Sequence, residues 1–181
     1  MKNLEAESIR EKPADQFVPL PTNPPARILV VEDDDAIRRL SAEVLGRSGY
    51  EVHTAEDGEA GWKALSALRH EPDGYDLVVT DNNMPKLSGV DMVKKMRSAR
   101  IDLPVILVTA VLPESEIRQH PWMRFSATLL KPYSTEELLR TVREVLHASV
   151  VGGVRIEEFF PAFSGQTKWP QYPITRPSTS P

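Results

Sequence analysis

The chain is predicted to fold as α/β, with one doubly wound, five-stranded parallel sheet covered by helices on both faces. Three observations carry that prediction. Short runs of strand length recur along the chain, among them "RILVV", "DLVVT" and "PVILVTA". Segments with helical periodicity separate them, and turn formers punctuate the series. The runs are continuously apolar rather than alternating, as strands buried on both faces require.

Arg27 to Val31 form the first strand. "AIRRLSAEVLGRSG" follows as a helix, with Ile37, Leu40, Val44 and Leu45 expected on one face and Gly49 as its stop. Glu51 to Ala55 is the second strand, and the Asp57-Gly58 pair reads as a turn. "EAGWKALSAL" is then a helix that exposes Lys63 and at least partly buries Trp62 and Leu65. Asp76 to Thr80 is the third strand, with "GVDMVKKMRSA" as its helix. Pro104 to Ala110 is the fourth strand and Ala127 to Leu130 a short fifth. Between these two, Pro113 and Pro121 leave room for only a short helix. The last helix is signalled by the capping-box pair Ser134 and Glu137, and by an apolar stripe of Leu138, Leu139, Val142, Val145 and Leu146.

Composition sets the limits of the folded part and of its chemistry. A chain of 181 residues, 40% hydrophobic and 27% charged, buries one good core. Residues 1–26 are read as a flexible lead-in, because five prolines fall between Lys12 and Ala26. The domain is expected over 27–148, since "VVGG" breaks the helical pattern at Val150 to Gly153. Residues 149–181 form a proline-rich and aromatic tail, too short and too rich in proline for a DNA-binding unit. Its Phe159, Phe160, Phe163, Trp169 and Tyr172 are expected either to pack back on the domain or to dock a partner. A net charge of -4 offers no basic field for direct nucleic acid binding. No apolar run is long enough to span a bilayer and no signal-peptide core is present, so a soluble, non-membrane protein is expected. The absence of cysteine excludes thiolate metal sites and fits a reducing cytoplasm.

In open parallel sheets, ligands collect beyond the carboxyl ends of the strands. Glu32, Asp33, Asp34 and Asp35 follow the first strand, Asp81 the third and Lys131 the fifth, while Thr109 lies at the end of the fourth. Each alone has an ordinary explanation: Asp34 or Asp35 as a helix cap, Asp81 as a turn anchor, Thr109 as a strand residue, Lys131 as a solvated charge. As a set they do not, because several carboxylates at one sheet edge repel unless a cation sits among them.

The stretches "ILVVEDDDAIRRL", "DLVVTDNNMPKLSGVDMV", "PVILVTA" and "LLKPYSTEELL" resemble a receiver domain of the two-component response regulators, over Arg27 to Ala148. The resemblance implies a flavodoxin-like strand order 2-1-3-4-5. It also implies that Asp81 is the phosphoryl acceptor, supplied by a histidine kinase or a histidine phosphotransfer protein. Magnesium (Mg2+) would be held by Asp33 directly, by Glu32 through water, by Asp81 and by the backbone carbonyl of Asn83. Thr109 would be the switch hydroxyl and Lys131 the phosphate-facing lysine, with Lys131-Pro132 a cis peptide. The expected role is signalling through protein contacts with a downstream protein, not turnover of a substrate, and homodimer formation is left open.

One departure from the family pattern concerns output. The position three residues before the lysine, usually aromatic, is Thr128, and the nearby rings of Trp122, Phe125 and Tyr133 are expected to be packing residues. The alternative is a pseudo-receiver that binds partners without phosphorylation. A haloacid dehalogenase-type phosphatase would need a second aspartate two residues after Asp81, where Asn83 stands.

Overall fold

The computed structural model describes residues 24–68, 74–120 and 122–150. The expected lead-in up to residue 23 and the tail from residue 151, with all five of its aromatic residues, lie outside these segments. The elements run β1 (Arg27–Val31), α1 (Asp35–Arg47), β2 (Glu51–Ala55), α2 (Gly58–Ala67), β3 (Leu77–Asp81), α3 (Gly89–Ser98), β4 (Val105–Thr109), α4 (Glu114–Gln119), β5 (Ala127–Leu130) and α5 (Thr135–Val150). All strand pairs are parallel, in the order β2-β1-β3-β4-β5. This is the doubly wound arrangement the sequence predicts.

Alternate side chains of the central strands divide between two cores. On one face, Leu29, Val31, Val78, Val105 and Leu107 pack with Leu65 of α2 and with Val90, Met92, Val93 and Met96 of α3. On the other, Ile28, Val30, Leu77, Val79, Ile106 and Val108 pack with Leu45 of α1 and with Leu138, Val142 and Val145 of α5. Burial on both faces is why β3 and β4 read as unbroken apolar runs. Their register aligns Asp81 with Val108 and Thr109 with Leu130, so the strand ends reach the carboxyl edge together.

Most crossovers begin on a side-chain cap. Asp34 accepts from the N–H groups of Ala36 and Ile37 at α1, Asp57 from Ala60 at α2, and Ser88 from Asp91 at α3. Ser134 and Glu137 form the expected capping box, the Glu137 N–H donating to Ser134 Oγ (3.2 Å) and the Ser134 N–H to Glu137 Oε2 (2.7 Å). The exception is α4, six residues long with no side-chain cap and no buried residue.

Several sequence readings need correction. Leu40 is 51% exposed, whereas Ser41 is buried. The buried stripe of α1 is centred on Ser41 and Leu45, and Leu40 falls past its edge. Asp57-Gly58 is not a free turn but the start of α2, with Asp57 as its cap. The strand β3 is shifted by one residue, so Asp81 belongs to it, while Asp76 lies outside and accepts from the Arg27 N–H at 2.7 Å. Trp122 is not packed: it stands exposed, with its ring 5.4 Å from that of His120. Phe125 and Tyr133 do pack against the cores.

Two glycines make opposite predictions. A Cβ at Gly46, near the end of α1, meets nothing within 4 Å, so Gly46→Ala should stabilise by about 0.5–1 kcal/mol through helix propensity. A Cβ at Gly89 would lie 2.1 Å from the Asp81 carbonyl oxygen, so Gly89→Ala should destabilise the fold. Urea unfolding of the two variants checks both signs.

Candidate functional site

The parallel sheet brings the predicted residues to one edge. Glu32 follows β1 directly, and its N–H donates to the Ala55 carbonyl (3.1 Å), which extends the ladder and fixes its peptide. Glu32 is only 4% exposed. Asp33, next in the chain, is exposed, and Asp34 is spent on capping α1. Asp81 ends β3 and is 5% exposed. Its Oδ1 accepts from the N–H groups of Asn82 (2.6 Å) and Asn83 (3.3 Å), and its Oδ2 from Lys131 Nζ (2.9 Å). The same ammonium donates to both oxygens of Glu32, at 3.1 and 3.3 Å. Lys131 is held in turn by its own N–H, which donates to the Thr109 carbonyl (2.9 Å), and the Lys131-Pro132 peptide is cis as expected.

The electrostatics follow from this packing. Burial pushes the Glu32 carboxyl above its ordinary range, and the neighbouring Asp81 charge adds to this, although Lys131 pulls the other way. For Lys131, burial alone would lower the ammonium, but its hydrogen bonds to Asp81 and Glu32 outweigh that and raise it. Glu32, Asp33 and Asp81 each present a carboxylate oxygen within 4.8 Å of the others. Three hard oxygen donors at that spacing suit a small divalent cation that keeps some of its waters.

The remaining predicted residues lie around this centre. Thr109 is buried, and its hydroxyl donates to the Val111 carbonyl at 2.8 Å. Asn83 is exposed on the loop after β3. Thr128 is half-buried on β5. Sequence reasoning missed Arg38, whose Nη1 donates to the carbonyls of Glu32 (2.8 Å) and Asp33 (3.2 Å) and so braces the loop that carries both carboxylates. Its position four residues after the cap Asp34, on the first turn of α1, was the available signal.

A doubly wound domain with this pocket belongs to the signalling class of CheY-like folds. A profile described as "Response regulator receiver domain" matches residues 28–143, and the chain belongs to that family of two-component response regulators. The transcriptional regulatory protein RprY of Bacteroides fragilis is 35% identical over 120 residues, which cover 66% of this chain and 49% of the relative. The alkaline phosphatase synthesis transcriptional regulatory protein PhoP of Bacillus subtilis is 33% identical over 127 residues, covering 69% of this chain and 50% of that one. The chain thus spans about half the length of these curated relatives. The response regulator TrrA of Thermotoga maritima, solved in complex with Mg2+-BeF, is 34% identical with a TM-score of 0.55, covering 66% of this chain and 98% of that one. Among the described residues no helix is long and apolar enough to cross a membrane.

The shared ammonium leads to a pH prediction. Lys131→Met leaves Glu32 and Asp81 facing each other without compensation, so near pH 7 it should cost about 1–3 kcal/mol. The folded Glu32 carboxyl already binds a proton more readily than it would in the unfolded chain, and losing Lys131 strengthens that preference. The deficit should therefore shrink as pH falls to about 5, because the folded variant then takes up a proton that the unfolded chain does not. Urea unfolding at both pH values, with a chelator present, measures it, and equal deficits would contradict the coupling.

Proposed function

We propose that this domain accepts a phosphoryl group on the carboxylate of Asp81 from a phosphohistidine of a histidine kinase or a phosphotransfer protein, with magnesium bound beside it. The receiver unit is taken as 27–148. The observation that carries the reading is the single cluster at the sheet edge: Asp81 within 4.8 Å of Glu32 and Asp33, and 2.9 Å from Lys131. In the transfer, a carboxylate oxygen of Asp81 attacks phosphorus, the new P–O bond forms as the P–N bond to the imidazole breaks, and the leaving nitrogen takes a proton. Phosphoryl transfer asks for positioning and compensating charge. The N–H groups of Asn82 and Asn83 orient one Asp81 oxygen, and Lys131 faces the equatorial oxygens. Magnesium supplies the remaining positive charge when bound, with Asp33 as direct ligand, Glu32 through water, and Asp81 and the Asn83 carbonyl completing the protein's share. The Mg2+-BeF complex of TrrA supports this choice of ion.

Output then runs through the loop after β4. The Thr109 hydroxyl is engaged with Val111, and a phosphoryl group on Asp81 offers it a stronger, charged acceptor. Turning toward that group frees Val111, which is 76% exposed, and with it the uncapped α4. Thr128 provides no ring to follow the hydroxyl inward. A phosphorylation-independent role gains no support, since acceptor, carboxylates and lysine are all in place. The downstream partner is a protein recognised through this altered surface.

Intact-mass measurement after incubation with acetyl phosphate should show one phosphoryl adduct that depends on magnesium, and Asp81→Asn should abolish it. Undiminished labelling of that variant would overturn the assignment. Asp33→Ala should weaken magnesium binding about tenfold or more, and Glu32→Ala less, because an inner ligand costs more to lose than a water-mediated one. Calorimetric titration with magnesium separates the two.

A further inference from the structure

The loop between β3 and α3 holds the Asp81 carboxylate, and a second ion pair holds that loop. Asp57 caps α2 and is 2% exposed; its Oδ1 accepts from the Ala60 N–H (2.8 Å), while its Oδ2 accepts from Lys86 Nζ (2.5 Å), 29 residues away. Lys86 takes up this contact from a left-handed backbone, φ 64°, which a residue with a Cβ adopts only when its surroundings demand it. Beside it, a Cβ on Gly58 would meet the Leu87 carbonyl oxygen at 2.2 Å, so the start of α2 is pressed against the loop backbone. Within the loop, the Met84 and Gly89 N–H groups both donate to the Asn82 carbonyl at 3.2 Å, and the Val90 N–H donates to Asn82 Oδ1 at 3.3 Å. Lys86 is thus four residues from Asn82, whose carbonyl and side chain are held by loop and α3 N–H groups and whose own N–H donates to Asp81. The hydrogen bond from Lys86, ahead of that from Ala60, holds the Asp57 carboxyl below its ordinary range.

We infer that Lys86 and Asp57 are positioning residues for the acceptor reaction: their ion pair pins the loop 82–88 against α2, and so fixes the Asn82 and Asn83 N–H groups and the Asn83 carbonyl around Asp81. This rests on the acceptor reading proposed above. Helix capping alone does not account for the pair, because Asp57 caps α2 through Oδ1 and leaves Oδ2 for the lysine. Nor does stability alone, since an ion pair with a half-exposed lysine contributes little to folding and does not by itself justify a left-handed lysine.

The test uses the full chain, with acetyl phosphate as donor and four proteins: wild type, Lys86→Met, Lys86→Arg and Asp57→Asn. Lys86→Met should lower the labelling rate and raise the half-saturating magnesium concentration, each by about three- to tenfold. Lys86→Arg, which keeps the cation, should recover most of both. Asp57→Asn keeps an oxygen to cap α2 but loses the charge, and should reproduce Lys86→Met. Amide hydrogen exchange should be faster for residues 82–88 in Lys86→Met and Asp57→Asn, with the strands unchanged. Wild-type rate and magnesium dependence in both charge-removing variants would overturn the inference, as would losses that merely follow Tm. If the wild type takes up no phosphoryl group, the acceptor reading fails by itself. The pinning is then decided by the exchange data, where unchanged protection of 82–88 overturns it.

Discussion

The structure depends on one ammonium shared between two buried carboxylates. Lys131 reaches Asp81 and Glu32 from the far side of the pocket, bridging residues that are 50 and 99 positions away in the chain. Without it, a nearly buried Glu32 and a nearly buried Asp81 would stand at the same edge with their charges unopposed. With it, the pocket still carries net negative charge, since Asp33 adds a third carboxylate at the same place. A site in that state has one carboxylate not met by the lysine, and so unspent attraction for a cation. This condition suits a domain that must be loaded and unloaded.

The rest of the fold serves to deliver those three groups together. Parallel pairing places the ends of β1, β3, β4 and β5 on one side, and packing on both faces fixes the strands that carry them. Each pocket residue is then adjusted by its loop. The Ala55 carbonyl and Arg38 hold the peptides of Glu32 and Asp33, the N–H groups after β3 turn the Asp81 carboxylate, and the Thr109 carbonyl holds the Lys131 backbone. The strands set position to within a residue, and loop hydrogen bonds set direction. That division explains why the left-handed Lys86 lies in a loop, and the close approaches of Gly58 and Gly89 at the first residues of α2 and α3, rather than in the strands.

The same division explains what was legible in the sequence. Strand identity and the acidic edge came through because they rest on local composition: apolar runs too long to be half-solvated, and carboxylates immediately after them. The capping box at Ser134 is equally local, and the structure reproduces it bond for bond. What failed was anything that required knowing a partner. Leu40 reads as part of an apolar face, but the face is centred on Ser41, a small polar residue against which Tyr133 is set, and hydrophobicity alone cannot locate that centre. Trp122 reads as a packing residue and is instead exposed, its ring meeting that of His120, which a sequence pattern does not show. Asp57 reads as a turn residue because its lysine is 29 positions away, beyond any local pattern. Arg38 escaped for a related reason, since it acts on main-chain carbonyls, which a sequence does not display.

The weakest element is where a signal can leave the domain at low cost. The helices α1, α2, α3 and α5 are capped and, among the described residues, contribute buried side chains to one core or the other. By contrast, α4 is uncapped, buries no residue fully and is tied to α3 by an ion pair between Glu116 and Lys94 at 2.7 Å. Its connection to β4 carries two hydrogen bonds between Thr109 and Val111 and one from the Glu114 N–H to the Leu112 carbonyl. On the proposed reading, a change of charge at Asp81 that recruits the Thr109 hydroxyl would act first on this segment rather than on β3 and the two cores. Under the proposed reading, the acceptor Asp81 ends a fully buried strand, and the responding surface belongs to the one helix with no side-chain cap and no buried residue among the described elements.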